Sequence, residues 1–118
     1  MRVAIVGYRS FTNYLYFEQK IKEWESEHGI IDEIVSGGAT GADRLAVHYA
    51  EKYNRIKRIY PADWKKYGKT AGPIRNNVIL NDKLDALIAF PSSKSVGTHD
   101  IIGKATKLKI PVYTYPVK

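Results

Sequence analysis

A three-layer α/β/α domain around a five-stranded, mainly parallel sheet is the fold class predicted by this 118-residue sequence. Two observations carry the prediction. Five short apolar runs alternate with stretches of helical spacing, the order expected of parallel βαβ units with right-handed crossovers. The first and fourth runs, "VAIV" (Val3–Val6) and "ALIAF" (Ala86–Phe90), contain no polar residue, as strands covered on both faces do not. The length suits a single domain over residues 1–118, with one core. No internal repeat, low-complexity segment or linker interrupts it.

The elements follow in order. After the first strand, Phe17, Ile21 and Trp24 recur at intervals of four and three, and Gly29 supplies a stop. The second strand is "IDEIV" (Ile31–Val35). Leu45, Ala46, Tyr49 and Ala50 then place small and apolar groups on one helical face. The third strand is "IKRIY" (Ile56–Tyr60). A long loop from Pro61 to Thr70 follows, and then a less regular helix marked by Ile74, Val78 and Asn81. The fourth strand leads to a helix with Ile101, Ala105 and Leu108 on one side, and "PVYTY" (Pro111–Tyr115) closes the series.

Composition bounds the chemistry. The net charge is +7, from 19 Lys and Arg against 12 Asp and Glu, which favours anionic partners such as nucleic acid or phosphorylated small molecules. The cations are scattered rather than blocked, as on a solvated surface. There is no cysteine, so disulfides and thiol-based metal sites are excluded. His28, His48 and His99 lack metal-ligand spacing, and neither metal nor cofactor is expected. His48 reads as structural, while His99 lies in a candidate loop. No apolar run approaches the ~20 residues of a membrane span. The N-terminus lacks a signal-peptide cleavage pattern, so a cytoplasmic location is the expectation.

In open α/β sheets ligands bind beyond the carboxyl ends of the strands. Four loops begin there: "GYRSFTN", "SGGATGAD", "PADWKKYGKTAGPIRN" and "PSSKSVGTHD". They concentrate glycine, hydroxyl, amide and cationic residues. In the second, Ser36, Gly37, Gly38, Thr40 and Gly41 precede a helix whose first N–H groups and dipole favour an anion. Asp43 either faces the ligand or charges the helix's first turn. A Walker A loop needs Gly-Lys-Ser/Thr where Gly41-Ala42-Asp43 stands. A dinucleotide fingerprint needs three glycines after the first strand, where only Gly7-Tyr8-Arg9 stands, and an acid where Ser36 stands. Ser95, Gly97 and Thr98 form a second glycine-containing helix start, although Ser and Thr are also good N-caps. Arg9 and Arg75, the latter beside Asn76, offer forked cationic donors for a phosphate or carboxylate, or else are surface arginines. Trp64 either stacks on a base or covers the core.

"GYRSF", "SGGATGAD", "PADW", "GKTAGPIRN" and "SVGT" occur in this order, each at a strand's carboxyl end. Together they resemble the SLOG superfamily of DNA-processing protein A and Lonely Guy-type proteins, nearest to its small YspA/YpsA-related group. The resemblance spans nearly the whole chain and implies a Rossmann-like sheet that binds nucleotides or nucleotide-derived ligands. Lonely Guy-type enzymes cleave the bond between a base and ribose 5′-phosphate. They carry an arginine before the fourth strand, where Arg75 stands, and a Pro-Gly-Gly-x-Gly-Thr-x-x-Glu run after it. Here Ser92 and Ser93 replace the paired glycines, Lys94 and Ser95 add length, and Asp100 stands one position out of step with the acid.

Three functions fit these residues. The first is a domain that binds a nucleotide-derived ligand, its phosphate held by two glycine loops with Arg9 and Arg75, and its base stacked on Trp64 or Tyr8. The second is an N-glycosidic hydrolase of nucleoside monophosphates, using Arg75 with Asp100 or Asp43, by analogy with carboxylate chemistry on sugars. The third is a non-specific nucleic-acid binder. Self-association is also expected. Tyr14, Tyr16, Phe17 and Trp24 crowd the first helix beyond what one stripe buries, and the remainder would form an exposed patch suited to a homodimer or higher homo-oligomer.

Overall fold

Alternation along the central strands divides the core in two. The computed structural model describes residues 1–117. Strands β1 (Arg2–Gly7), β2 (Glu33–Ser36), β3 (Ile56–Ile59), β4 (Ala86–Phe90) and β5 (Val112–Thr114) form one sheet in the order β3-β2-β1-β4-β5. Every neighbouring pair is parallel. Val3 and Ile5 of β1, with Ile88 and Phe90 of β4, point to the face covered by helices α1 (Tyr14–His28) and α2 (Ala42–Lys52). Ala4 and Val6, with Leu87 and Ala89, point to the face covered by α4 (Ala71–Leu80) and α5 (Val96–Lys107). The period-two alternation is real but silent in the sequence, because both faces are buried.

Helix α1 starts at Asn13, whose side chain accepts the Tyr16 N–H at 3.1 Å, and stops at Gly29. Glu25 near its end is buried and heavily partnered. It accepts from the Ile31 N–H (2.7 Å), the Tyr49 hydroxyl (2.5 Å) and Arg55 Nη1 (2.5 Å). Arg55 also donates to the Ile31 carbonyl at 2.7 Å. One carboxylate thus ties α1, the approach to β2, α2 and the approach to β3. The Arg55 guanidinium, with the Tyr49 hydroxyl and the Ile31 N–H, holds its pKa below the usual carboxylate value despite burial.

Three expectations change. The segment Pro61–Thr70 is not an open loop: it holds a one-turn helix, α3 (Trp64–Tyr67), and a 3₁₀ turn (Gly68–Thr70) that runs into α4. Asp63 opens α3 by accepting the Lys66 N–H at 3.0 Å. Helix α4 buries Ala71, Asn76, Ile79 and Leu80, and leaves Val78 exposed, so its inner face is rotated from the one that Ile74 and Val78 suggest. Leu108 lies past the end of α5 and is exposed. The aromatic crowd on α1 is also resolved within the chain. Phe17 and Trp24 are buried, while Tyr14 and Tyr16 are half-buried. The Tyr14 ring meets His48 edge-on at 4.4 Å and its hydroxyl donates to Glu18; Tyr16 packs edge-on against Phe11 at 6.1 Å. Helix α1 therefore presents no aromatic patch.

Strand β3 is the edge beside β2, and all four of its residues are exposed. Among the described residues, no helix is long and apolar enough to cross a membrane.

Candidate functional site

The carboxyl ends of β1 and β4 lie side by side, and from there the chain leaves toward opposite faces of the sheet. This is the position at which open α/β sheets make a crevice. A cavity of about 420 Å³ opens there. Gly7, Tyr8, Arg9 and Ser10 border it from the loop after β1. Gly37, Ala39 and Asp43 come from the loop after β2 and the start of α2. Arg75 and Asn76 come from α4, and Lys94 to Thr98 from the start of α5. Its inner end rests on Val6, Ile79 and Ile101, all buried.

A second hollow of about 260 Å³ adjoins it. Gly38 and Thr40 form one side, and Pro61, Ala62 and Trp64 the other. Arg9, Gly37, Ala39 and Arg75 border both spaces. The Trp64 side chain is half exposed, and a Cβ built on Gly72 would lie 3.5 Å from its ring. Trp64 therefore forms a wall and does not plug the core.

Local geometry explains the glycines. At Gly41 φ is +76°, a conformation that L side chains rarely adopt, and a Cβ there would overlap the backbone of Tyr8 and Arg9. That close approach lets the Tyr8 carbonyl accept both the Phe11 N–H (3.1 Å) and the Ala42 N–H (3.2 Å), locking the β1 loop onto α2. Gly38 is also left-handed, at +71°. Gly37 is bare for a different reason: a Cβ there would occupy the place of the Arg75 guanidinium.

The charged groups are set with care. Arg75 donates from Nη1 to the Gly37 carbonyl at 2.9 Å and from Nε to Asn76 Oδ1 at 3.2 Å. A guanidinium has five N–H donors, so three remain without a partner among the described residues. Asp43 is buried and accepts the Ala39 N–H at 3.2 Å. Burial raises its pKa from 3.8 to about 6, against the opposing pull of Arg75, the Ala39 N–H and Arg9. At α5, His99 makes the first intrahelical bond, donating to the Ser95 carbonyl at 3.1 Å. Val96, Gly97 and Thr98, whose N–H groups precede that bond, border the cavity.

Three expected site residues border neither space. Ser36 is buried, donates to the Asp43 carbonyl (3.1 Å) and accepts the Gly38 N–H (3.1 Å), so its hydroxyl shapes the loop. Gly41 makes the close approach described above. Asp100 accepts from Asn76 Nδ2 at 3.2 Å and pairs with Lys104 at 3.1 Å. Ser95 borders the cavity, yet its hydroxyl both donates to and accepts from the Ser92 backbone. His99 is held on the Ser92 carbonyl at 2.9 Å. Ser10, Ala39, Lys94 and Val96 also border the cavity, beyond the residues expected from the sequence. Their signal was position alone, in loops that follow strand ends. Among the described residues, no group of three or more acidic or His side chains could hold a metal ion.

Residues 1–67 match the family described as YAcAr: YspA, cpYpsA-related SLOG family. The chain belongs to this family. It is 37% identical over 95 residues to the Gene 61 protein of Mycobacterium phage D29, covering 76% of this chain and 74% of that protein. Among solved structures, DNA processing protein A (DprA) from Streptococcus pneumoniae matches with a TM-score of 0.75 at 23% identity. That match covers 99% of this chain and 50% of DprA, so the chain spans half of DprA's length. At this identity the likeness shows the shared SLOG fold, a five-stranded parallel sheet between helices.

Proposed function

We propose that this SLOG domain binds a nucleotide or nucleotide-derived phosphorylated ligand in the crevice between β1 and β4. Membership in the SLOG family points to nucleotide-related binding or processing. The observation that carries the reading further is the convergence of Arg9 and Arg75 on the glycine loop at the mouth of a cavity of about 420 Å³. Neither arginine makes an ion pair with a carboxylate among the described residues, and Arg75 is pre-oriented by two hydrogen bonds. A phosphate would complete their donor sets, and the free N–H groups at the start of α5 add a second anion-favouring surface. The volume falls in the range of small-molecule sites. Calorimetry with the four nucleoside 5′-monophosphates and their parent nucleosides tests the reading. Binding that requires the phosphate is the expected result, and no binding of any of them would refute it.

A further inference from the structure

The two hollows share one border, and that border is cationic. Arg9 and Arg75 stand between a deep lobe of about 420 Å³ and a shallower lobe of about 260 Å³. The lobes differ in chemistry. The deep lobe has the buried carboxylate of Asp43 and the unpartnered N–H groups at the start of α5, which suit hydroxyls and anions. The shallow lobe has Pro61, Ala62 and the half-exposed Trp64 ring opposite a strip of bare glycine-loop backbone, which suits a flat heterocycle. A ligand with one organic group and a terminal phosphate fills one lobe and the border and leaves the other lobe empty.

We infer that the ligand is bipartite: two organic groups joined through an internal diphosphate, with the diphosphate at Arg9 and Arg75 and one group in each lobe. This inference rests on the proposed function and specifies its ligand class. A dinucleoside diphosphate is the simplest member of the class. A nucleic-acid strand also has internal phosphates, but it must leave the site at both ends. The deep lobe is lined in part by Val6, Ile79 and Ile101, each at most 7% exposed, an apolar surface that suits an end group better than a continuing charged strand.

The test compares two ligands that share a nucleoside and a diphosphate; in one of them a second nucleoside caps the terminal phosphate and removes one of its negative charges. Affinities are measured for the nucleoside 5′-diphosphates of the four bases and for the corresponding symmetrical dinucleoside 5′,5′-diphosphates, on the native chain and on Trp64→Ala. In the native chain the dinucleoside form should bind at least about tenfold more tightly for one base or more. In Trp64→Ala that advantage should fall below about threefold, because a single nucleoside can always take the remaining lobe. Trp64 is exposed, so folding should survive the change, which circular dichroism checks. A nucleoside diphosphate that binds as tightly as its dinucleoside partner would overturn the inference and leave the proposed function standing. An advantage that persists in Trp64→Ala would also overturn it. Failure of every compound to bind would refute both readings. A twelve-nucleotide single strand that binds more tightly than either small ligand would replace the bipartite molecule with a polymer.

Discussion

Arg75 Nη1 donates to the Gly37 carbonyl across 2.9 Å, joining α4 to the loop after β2 over 38 residues of sequence. The bond fixes the guanidinium against a backbone that carries no side chain, and with the Nε bond to Asn76 it leaves three donors for a ligand. Arg75→Ala should weaken a nucleoside monophosphate by ~1.5–3 kcal/mol, the scale of a charged hydrogen bond, and an unphosphorylated nucleoside by little. Equal losses for both in calorimetry would place Arg75 on the base or in the fold.

Gly38→Val tests the glycine loop. The residue holds φ at +71°, and among the described residues the neighbour in the way of a Cβ is the Ile59 side chain, which can move. The fold should survive with a loss of ~1–3 kcal/mol, while the strained loop loses its ligand. A folded variant with native affinity would make the loop a simple turn. Gly41→Val is more severe, since the overlap is with backbone, and thermal unfolding should show a larger loss than for Gly38→Val.

Asp43 should be a stability liability at neutral pH. Its carboxyl has a higher pKa in the folded chain, about 6, than the 3.8 of an exposed aspartate. The native state therefore holds the proton more tightly. The stability that this contributes is complete below pH 4 and is lost as pH rises through 6. Asp43→Asn removes the charge. Its stability relative to the native chain should rise by as much as ~3 kcal/mol between pH 4 and pH 7. Urea unfolding at the two pH values measures this, and a difference that does not change with pH would show that Asp43 ionises as if exposed. A buried carboxylate kept at such a cost is a candidate partner for ligand hydroxyls.

Arg55→Ala should cost ~3–5 kcal/mol, because it leaves the Glu25 carboxylate buried with its ionic partner gone. The loss should shrink on acidification, as Glu25 takes up a proton. Chemical denaturation at pH 7 and pH 4 is the check, and a small loss that is the same at both would mean that Tyr49 and Ile31 alone satisfy the carboxylate.

Much of this architecture was legible because its causes are local. "VAIV" and "ALIAF" became β1 and β4, and Phe17, Ile21 and Trp24 became the buried stripe of α1. The four loops after strands came together because parallel topology places every strand's carboxyl end at one edge of the sheet. What escaped was set by tertiary contacts. Asn76 is buried through bonds to the Gly97 carbonyl and Asp100, which turns α4 away from the face marked by Val78. The same bond, with Lys104, draws the Asp100 carboxylate to α4 and α5 rather than to the cavity border. Trp64 sits on a one-turn helix whose existence depends on the Asp63 cap, too short a signal to outweigh Pro61 and Gly68.

The exposed edge strand β3 has a bearing on how copies of this chain meet. An open edge offers unpaired backbone groups to any extended segment. In β3 the order Ile56, Lys57, Arg58, Ile59 puts one isoleucine and one cation on each face. Lys57 is drawn to Glu51 and Arg58 to Glu33, which holds their stems close to the strand. A second β3 laid alongside would bring four cationic side chains to one seam, and its apolar gain would be limited to paired isoleucines. Uncontrolled growth of the sheet from molecule to molecule is thereby discouraged at this edge, the one beside β2.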